Sequence, residues 1–143
     1  MESDKGQYKK KHPPGTEADQ EIAKAVKAKA TKEGIACADA TNVALTQGRP
    51  MSEVGRAIDL QEITIIKCQL GLFGYHPARK IVKPMPSVDP QMEAAIKGRL
   101  SQGSLSCQAA WEIADSSALP RMTVASACET LGIKIVSCQL GAF

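Results

Sequence analysis

Four of the five cysteines have residue types and positions that could support chemistry, because they occupy matching places at a fixed offset of 70 residues. Cys37 matches Cys107 and Cys68 matches Cys138, whereas Cys128 has an isoleucine as its counterpart. An odd number of cysteines without an export signal favours reduced thiols over disulfides. The matched thiols are interpreted as core fillers, as a redox-responsive pair in each half, or as a shared zinc or iron–sulfur site. No Cys-x-x-Cys spacing occurs, so core filling is the first expectation and no cofactor is predicted.

Catalytic residue patterns are nearly absent from the chain. The two histidines, His12 and His76, have no metal-ligand companion at helical spacing. No glycine-rich phosphate loop or nucleophile elbow occurs, and a thiol without a basic partner is a poor nucleophile. The sequence therefore predicts that the protein is not an enzyme.

Lysine and arginine side chains are candidates for contacts to phosphate. The net charge of +3 is concentrated in residues 74–88, which hold three basic residues and no acidic one. DNA-binding proteins draw much of their affinity from such contacts. The candidates are Lys24, Lys27, Lys29 and Lys32 on the first predicted helix, Lys9, Lys10 and Lys11 near the N-terminus, and Arg79, Lys80 and Lys83 between the two halves.

Composition indicates a helical protein outside the membrane. The chain is 43% apolar but only 3% aromatic, which predicts an aliphatic, alanine-rich core. No stretch approaches the roughly 18 apolar residues that cross a bilayer, and the lysine-rich N-terminus lacks an apolar signal segment. A cytoplasmic protein without a membrane partner is expected.

The chain contains an internal duplication. Residues 19–73 align with residues 89–143 without a gap, and positions 35–73 match positions 105–143 at 13 of 39 places, against two or three expected by chance. The predicted organisation is a disordered basic tail (1–18), a first copy (19–73), a proline-rich basic linker (74–88) and a second copy (89–143). The linker is expected to be extended and to separate the copies.

Each copy is predicted to contain three helices followed by one strand, so the fold class is mainly α with short strands. Asp19 and Asp89 can cap the first helix, and Ser52 can cap the third helix of copy one. The second helix is expected at 36–45 and 106–116 and the third at 52–61 and 122–131. The β-branched segments 63–68 and 133–138 are typical of strands. Pairing these two strands would give a pseudo-twofold arrangement, with the same pairing across a homodimer as the alternative.

The segment Cys-Gln-Leu-Gly-x-Phe is the most strongly shared part of the copies. Gln69 and Gln139 are expected to hydrogen-bond to the backbone. The following glycines, Gly71 and Gly141, are expected to turn the chain so that the two phenylalanines, Phe73 and Phe143, cap the core.

The second and third helices resemble the helix-turn-helix family, including its winged-helix-like members. That family has a small residue in the first helix of the pair, a glycine four positions later and an apolar residue six positions after that. The small residue lets the helices cross closely, and the glycine permits a left-handed turn. The matching residues are Ala44, Gly48 and Val54 in copy one and Ala114, Ala118 and Val124 in copy two.

This resemblance implies that the third helix enters the major groove of duplex DNA. The positions carried over are Ser52, Glu53 and Arg56 in copy one and Arg121, Thr123 and Ser126 in copy two. Asp59, Glu62 and Glu129 place negative charge on the same helices or at their ends. The expected function is a DNA-binding, transcription-regulator-like protein. The alternative is a non-catalytic module that binds a protein partner or senses thiols or metals through Cys37, Cys68, Cys107 and Cys138.

Overall fold

The computed structural model describes residues 7–143, and over this range the chain is mainly helical with a few short strands. A 3-10 helix at Tyr8–Lys11 comes first. The α-helices are α1 (Gln20–Lys29), α2 (Cys37–Gln47), α3 (Met51–Leu60), α4 (Pro90–Lys97), α5 (Cys107–Ser116) and α6 (Arg121–Leu131); the strands are β1 (Ile35–Ala36), β2 (Ile65–Ile66), β3 (Leu105–Ser106) and β4 (Ile135–Val136). None of the helices described is long and apolar enough to cross a bilayer.

The N-terminal caps predicted for α1 and α4 are present, but the cap predicted for α3 is not. Asp19 Oδ1 accepts the backbone N–H groups of Glu21 and Ile22 at 2.9 and 3.1 Å, and Asp89 Oδ1 caps α4 by accepting the N–H of Gln91 at 2.8 Å. The cap predicted at Ser52 is wrong. Pro50 precedes the first turn of α3, and its carbonyl accepts the first intrahelical hydrogen bonds, so Ser52 lies inside the helix.

The chain divides into two compact units. The first contains the described residues up to Cys68 together with Gln139–Phe143, and the second contains Gln69–Cys138. These bounds differ from the copies delimited by sequence, since the last five residues of each copy belong to the other copy's unit. Leu70 is fully buried in the second unit, and Leu140 is 3% exposed in the first. Burial of these apolar side chains stabilises each terminal segment in its unit.

Each unit contains a pair of short parallel strands. Ile35 pairs with Ile65 in the first unit, and Leu105 pairs with Ile135 in the second. The expected pairing of 63–68 with 133–138 within the chain is therefore wrong, and one strand in each copy was missed. In both units a backbone hydrogen bond joins the strands: Ile35 N–H donates to Thr64 O at 2.8 Å, after Gly34 with φ +139°, and Leu105 N–H donates to Lys134 O at 3.0 Å, after Ser104.

The core of each unit is aliphatic and rich in alanine, as the composition predicts. In the first unit the fully buried side chains include Ile22, Val26, Ile35, Val43, Val54 and Ile58, and in the second they include Leu70, Ile96, Leu105, Val124 and Cys128. Trp111 is 7% exposed and is the aromatic exception in the second unit. Helices α1–α3 and α4–α6 pack around these side chains, leaving the polar positions of each helix outward.

Candidate nucleic-acid interface

A tight turn joins α2 to α3 in the first unit. Gly48 has φ +62° and ψ +37°, the left-handed conformation expected from its place in the sequence. Arg49 N–H closes the turn by donating to Ala44 O at 3.0 Å. Ala44 is 6% exposed and Val54 is fully buried, and α2 packs against α3.

The turn between α5 and α6 has the same geometry without a glycine. Ala118 takes a φ of +54°, and Leu119 N–H donates to Ala114 O at 2.9 Å. Ala114 and Val124 are fully buried. A left-handed alanine is less favourable than glycine, and the closing hydrogen bond offsets part of that cost.

The third helix of the first unit keeps part of its predicted contact surface free. Ser52 is exposed and Arg56 is half-buried, and Arg56 forms no ion pair within residues 7–143. Glu53 is bound to Arg49 at 2.6 Å, and its charge raises the pKa of that guanidinium. Arg49 also contacts Asp19, whose pKa is lowered chiefly by the hydrogen bond from Ile22 N–H.

The predicted contact residues of α6 are engaged inside the second unit. Arg121 donates to both carboxylate oxygens of Asp115 and to Gln69 Oε1 at 3.1 Å, and its guanidinium lies 3.8 Å from the centroid of the Trp111 ring. Ser126 Oγ donates to the backbone carbonyl of Lys83. Thr123 is half-buried.

The lysines of α1 lie on its solvent side. Lys24 and Lys27 are exposed and form no ion pair among the described residues. Lys29 donates to a neutral partner, Asn42 Oδ1, at 2.9 Å. It also lines a shallow groove of about 320 Å³ with Lys32 and Lys67, near Glu33 and Asp39. This face of the first unit therefore has several cationic groups without a strong internal counter-charge.

The basic linker belongs to the second unit and packs against α6. Lys80 Nζ lies 2.6 Å from Glu129 Oε1. Thr130 Oγ1 accepts the N–H of Met85 at 2.8 Å, and Val82 is 5% exposed. Lys83 and Arg79 remain exposed on this segment, with the backbone carbonyl of Arg79 accepting the N–H of Tyr75.

The N-terminal residues Tyr8–His12, called the strap from here on, pack along α3 in the first unit. Glu62 holds the start of the strap, its two carboxylate oxygens accepting the backbone N–H groups of Tyr8 and Lys9 at 2.9 and 3.1 Å. Tyr8 Oη also lies 3.2 Å from Thr64 Oγ1. The disorder expected for residues 1–18 does not apply to this strap; residues 1–6 lie outside the described residues.

Asp59 holds the other end of the strap. Its side chain is only 5% exposed, and its two oxygens lie 3.1 Å from Lys11 Nζ and 2.9 Å from His12 Nε2. Lys11 Nζ also donates to Gly141 O at 3.1 Å. A carboxylate buried to this extent is costly unless it is paired, so the basic strap is what allows Asp59 to lie there.

The sequence contains a partial signal for these contacts. Lys10 matches Lys80 at the offset of 70, and Asp59 matches Glu129. In the second unit Lys80 pairs with Glu129, whereas in the first unit Asp59 pairs with Lys11, one position beyond the match. The recurrence of basic and acidic residues therefore indicates an intramolecular attraction but does not identify the lysine that makes it.

All five cysteines are thiols, and four of them are buried. Burial raises the pKa of Cys128 to about 11, with a smaller contribution from Glu129. Cys138 is half-buried. Within residues 7–143, no group of three or more histidine, cysteine, aspartate or glutamate side chains could hold a metal ion.

The shared terminal segments turn as the sequence predicts, but the leucines, not the phenylalanines, enter the core. Gly71 and Gly141 have φ values of +76° and +83°. Phe143 is 41% exposed, so its predicted role as a core cap is wrong, whereas Leu140 is 3% exposed. Leu140 follows the helix surface so closely that a Cβ on Gly55 would lie 2.1 Å from its carbonyl oxygen.

Comparison with known proteins identifies no relative of the chain. No protein family, curated protein or solved structure matches it.

Proposed function

We propose that the chain is a tandem duplication of a helix-turn-helix module and that it binds duplex DNA through its first unit. The observation that carries this proposal is the pair α2 and α3, which is joined at a left-handed Gly48 and in which Ala44 and Val54 are buried. This arrangement of a small residue, a left-handed turn and a buried valine is what the helix-turn-helix resemblance requires. The same arrangement recurs at Ala114, Ala118 and Val124, which supports the duplication.

The first unit is favoured because its basic groups are available. Lys24, Lys27, Lys32 and Lys67 have no ion-pair partner among the described residues, and Ser52 and Arg56 remain partly open on α3. In the second unit Arg121 is occupied by Asp115, and Lys80 is occupied by Glu129. Phosphate contact by these residues would require breaking contacts that the unit already makes.

The test is fluorescence-anisotropy binding of the full chain to random-sequence duplex DNA over a salt series. We expect binding in the micromolar range, with an affinity that falls steeply as salt rises, because neutralised phosphates release counterions. Lys24→Glu with Lys27→Glu should reduce the affinity on the order of tenfold or more and flatten the salt dependence by roughly two counterions.

The matched control is Lys97→Glu with Lys134→Glu, which makes the same change in net charge on the second unit. These two lysines are exposed and lie outside the proposed surface. Because Lys97 pairs with Glu93 at 2.6 Å, thermal unfolding of this variant is measured first to verify that it is folded. Equal losses in both double variants would show that only net charge matters and would overturn the assignment to the first unit. Absence of binding at low salt would overturn the DNA proposal and leave the protein-partner hypothesis.

A further inference from the structure

The carboxylates on α3 are an obstacle to the proposed interface. Ser52, Arg56 and Asp59 follow one another at spacings of four and three residues, so they share one side of the helix. Glu62 comes just after the helix ends. An open Asp59 and Glu62 beside the groove-facing residues would repel the phosphates on either side of a DNA groove.

The strap removes much of this obstacle. Asp59 is 95% covered, and its carboxylate lies 3.1 Å from the ammonium of Lys11 and 2.9 Å from the ring Nε2 of His12. The Glu62 carboxylate is turned toward the strap, where it accepts two backbone N–H groups. The Asp59 charge is therefore paired within the unit, and the exposed Glu62 carboxylate is bound by the backbone of the strap.

The strap also has two exposed lysine side chains. Lys9 and Lys10 are exposed, and neither forms an ion pair within residues 7–143. Both residues belong to a one-turn helix whose start is bound by Glu62, so their backbone is held beside α3. Holding the backbone in place lowers the entropy lost when the two lysines bind a partner.

From these contacts we infer that the strap is a built part of the DNA-contacting surface. It covers the acidic end of α3 and presents Lys9 and Lys10 to the phosphate backbone that flanks the groove entered by Ser52 and Arg56. Lys11 does not contact DNA, because Asp59 and Gly141 occupy its ammonium group. This inference rests on the proposed function and specifies the partner of the strap as duplex phosphate.

For Glu62→Ala, the inference predicts a change in DNA affinity opposite in sign to the change expected from charge alone. Glu62→Ala removes a negative charge, which by charge alone should tighten binding to DNA. Because the same change releases the start of the strap, we expect a two- to tenfold weaker affinity. Glu33→Ala is the matched control: it removes an exposed carboxylate of the same unit that does not touch the strap, and it should leave the affinity unchanged or slightly tighter.

The lysines themselves are tested in the same titration. Lys9→Ala with Lys10→Ala should weaken binding on the order of tenfold and reduce the salt slope by about two, since each phosphate contact contributes roughly 0.9. Lys97→Ala with Lys134→Ala removes the same charge elsewhere and should have a small effect. Tryptic cleavage after Lys9–Lys11 should accelerate in Glu62→Ala alone, which verifies that the strap has been released.

The outcomes separate this inference from the proposed function. If the unsubstituted chain binds with a steep salt slope but the Lys9 and Lys10 double variant binds equally well, the inference fails and the proposed function stands. Tighter binding by Glu62→Ala together with faster cleavage would also overturn the inference. If the unsubstituted chain does not bind at low salt, both fail.

Discussion

Arg121 shows how the role of a residue depends on the partners that folding brings to it. By type and position it is a strong candidate for a base or phosphate contact. In the second unit its guanidinium stacks on Trp111 and donates to Asp115 and Gln69. The hydrogen bonds from Arg121 also lower the pKa of the Asp115 carboxyl, which keeps that partner ionised. Arg121 thus joins α6 to α5 through its contacts with Trp111 and Asp115.

We therefore expect Arg121→Ala to lower the stability of the second unit by about 1 kcal/mol, through loss of the cation–π contact and a half-exposed ion pair. Thermal unfolding followed by fluorescence of Trp111, the single tryptophan, measures this loss. DNA affinity should stay within twofold of the unsubstituted protein. A large loss of affinity at unchanged stability would contradict the assignment.

Cys128 is expected to be the least reactive thiol toward alkylating reagents. Its pKa is raised from 9.0 to about 11, because the surrounding core disfavours the thiolate. Only roughly one molecule in a thousand then carries the thiolate at pH 8. Labelling at pH 8 followed by peptide mass analysis should find Cys138 modified first and Cys128 modified only on unfolding. Early labelling of Cys128 would contradict its burial.

The raised pKa of Cys128 also gives its stability effect a definite sign. The folded protein holds the thiol proton more tightly than the unfolded chain does. The contribution is therefore fully present below pH 9 and is lost as the pH rises toward 11.

At the scale of elements, the local sequence pattern indicates only one of the two strands in each copy. The β-branched segments predicted one strand in each copy, but β1 and β3 are two residues long and too short to produce a pattern of their own. They exist because the turns before them bring the chain beside β2 and β4. In the first unit this close approach depends on Gly34, whose missing side chain leaves room for Thr64 O.

Gly34→Ala should accordingly destabilise the first unit by about 3 kcal/mol or more. The new Cβ would lie 2.1 Å from Thr64 O, and φ of +139° is strained for any L side chain. Urea unfolding measures the loss. Gly103→Ala is the control, since φ there is also positive but nothing lies within 4 Å of the new Cβ. Similar losses in both variants would mean that the contact with Thr64 is unimportant.

At the scale of the whole molecule, one segment belongs to a different unit from the residues that precede it in sequence. The final residues Gln139–Phe143 follow the second unit in sequence but belong to the first. Leu140 is buried there, against α3 at Gly55, and Lys11 donates to Gly141 O. The first unit is thus assembled from two segments of the chain, the described residues up to Cys68, which include the strap, and the C-terminal residues Gln139–Phe143.

Leu140→Ala should therefore destabilise the first unit and not the second, by about 2–3 kcal/mol for the lost burial. Hydrogen exchange with peptide resolution measures the two units separately, and exchange should accelerate across α3 with little change across α6. Phe143→Ala, at a side chain that is 41% exposed, is the control and should have a small effect. Faster exchange confined to α4–α6 would contradict the assignment of Leu140 to the first unit.

Several features were determined by the sequence alone, and they are all local. The capping aspartates, the helix periodicity, the left-handed turn at Gly48 and the aliphatic, alanine-rich core follow from residue types at short spacing, because the relevant forces act within one or two turns of chain. For the same reason, the positions of α1–α6 agree with expectation to within a few residues.

The partners of distant residues were decided only by the tertiary structure. The pairing of β1 with β2, the contacts of Lys11 and His12 with Asp59, the engagement of Arg121 and the burial of Leu140 in the first unit all join residues far apart in sequence. Each is the outcome of a competition among many apolar and charged groups for the same neighbours, and only the packed chain decides which partners meet. In this protein that competition covers the acidic end of α3 with the strap.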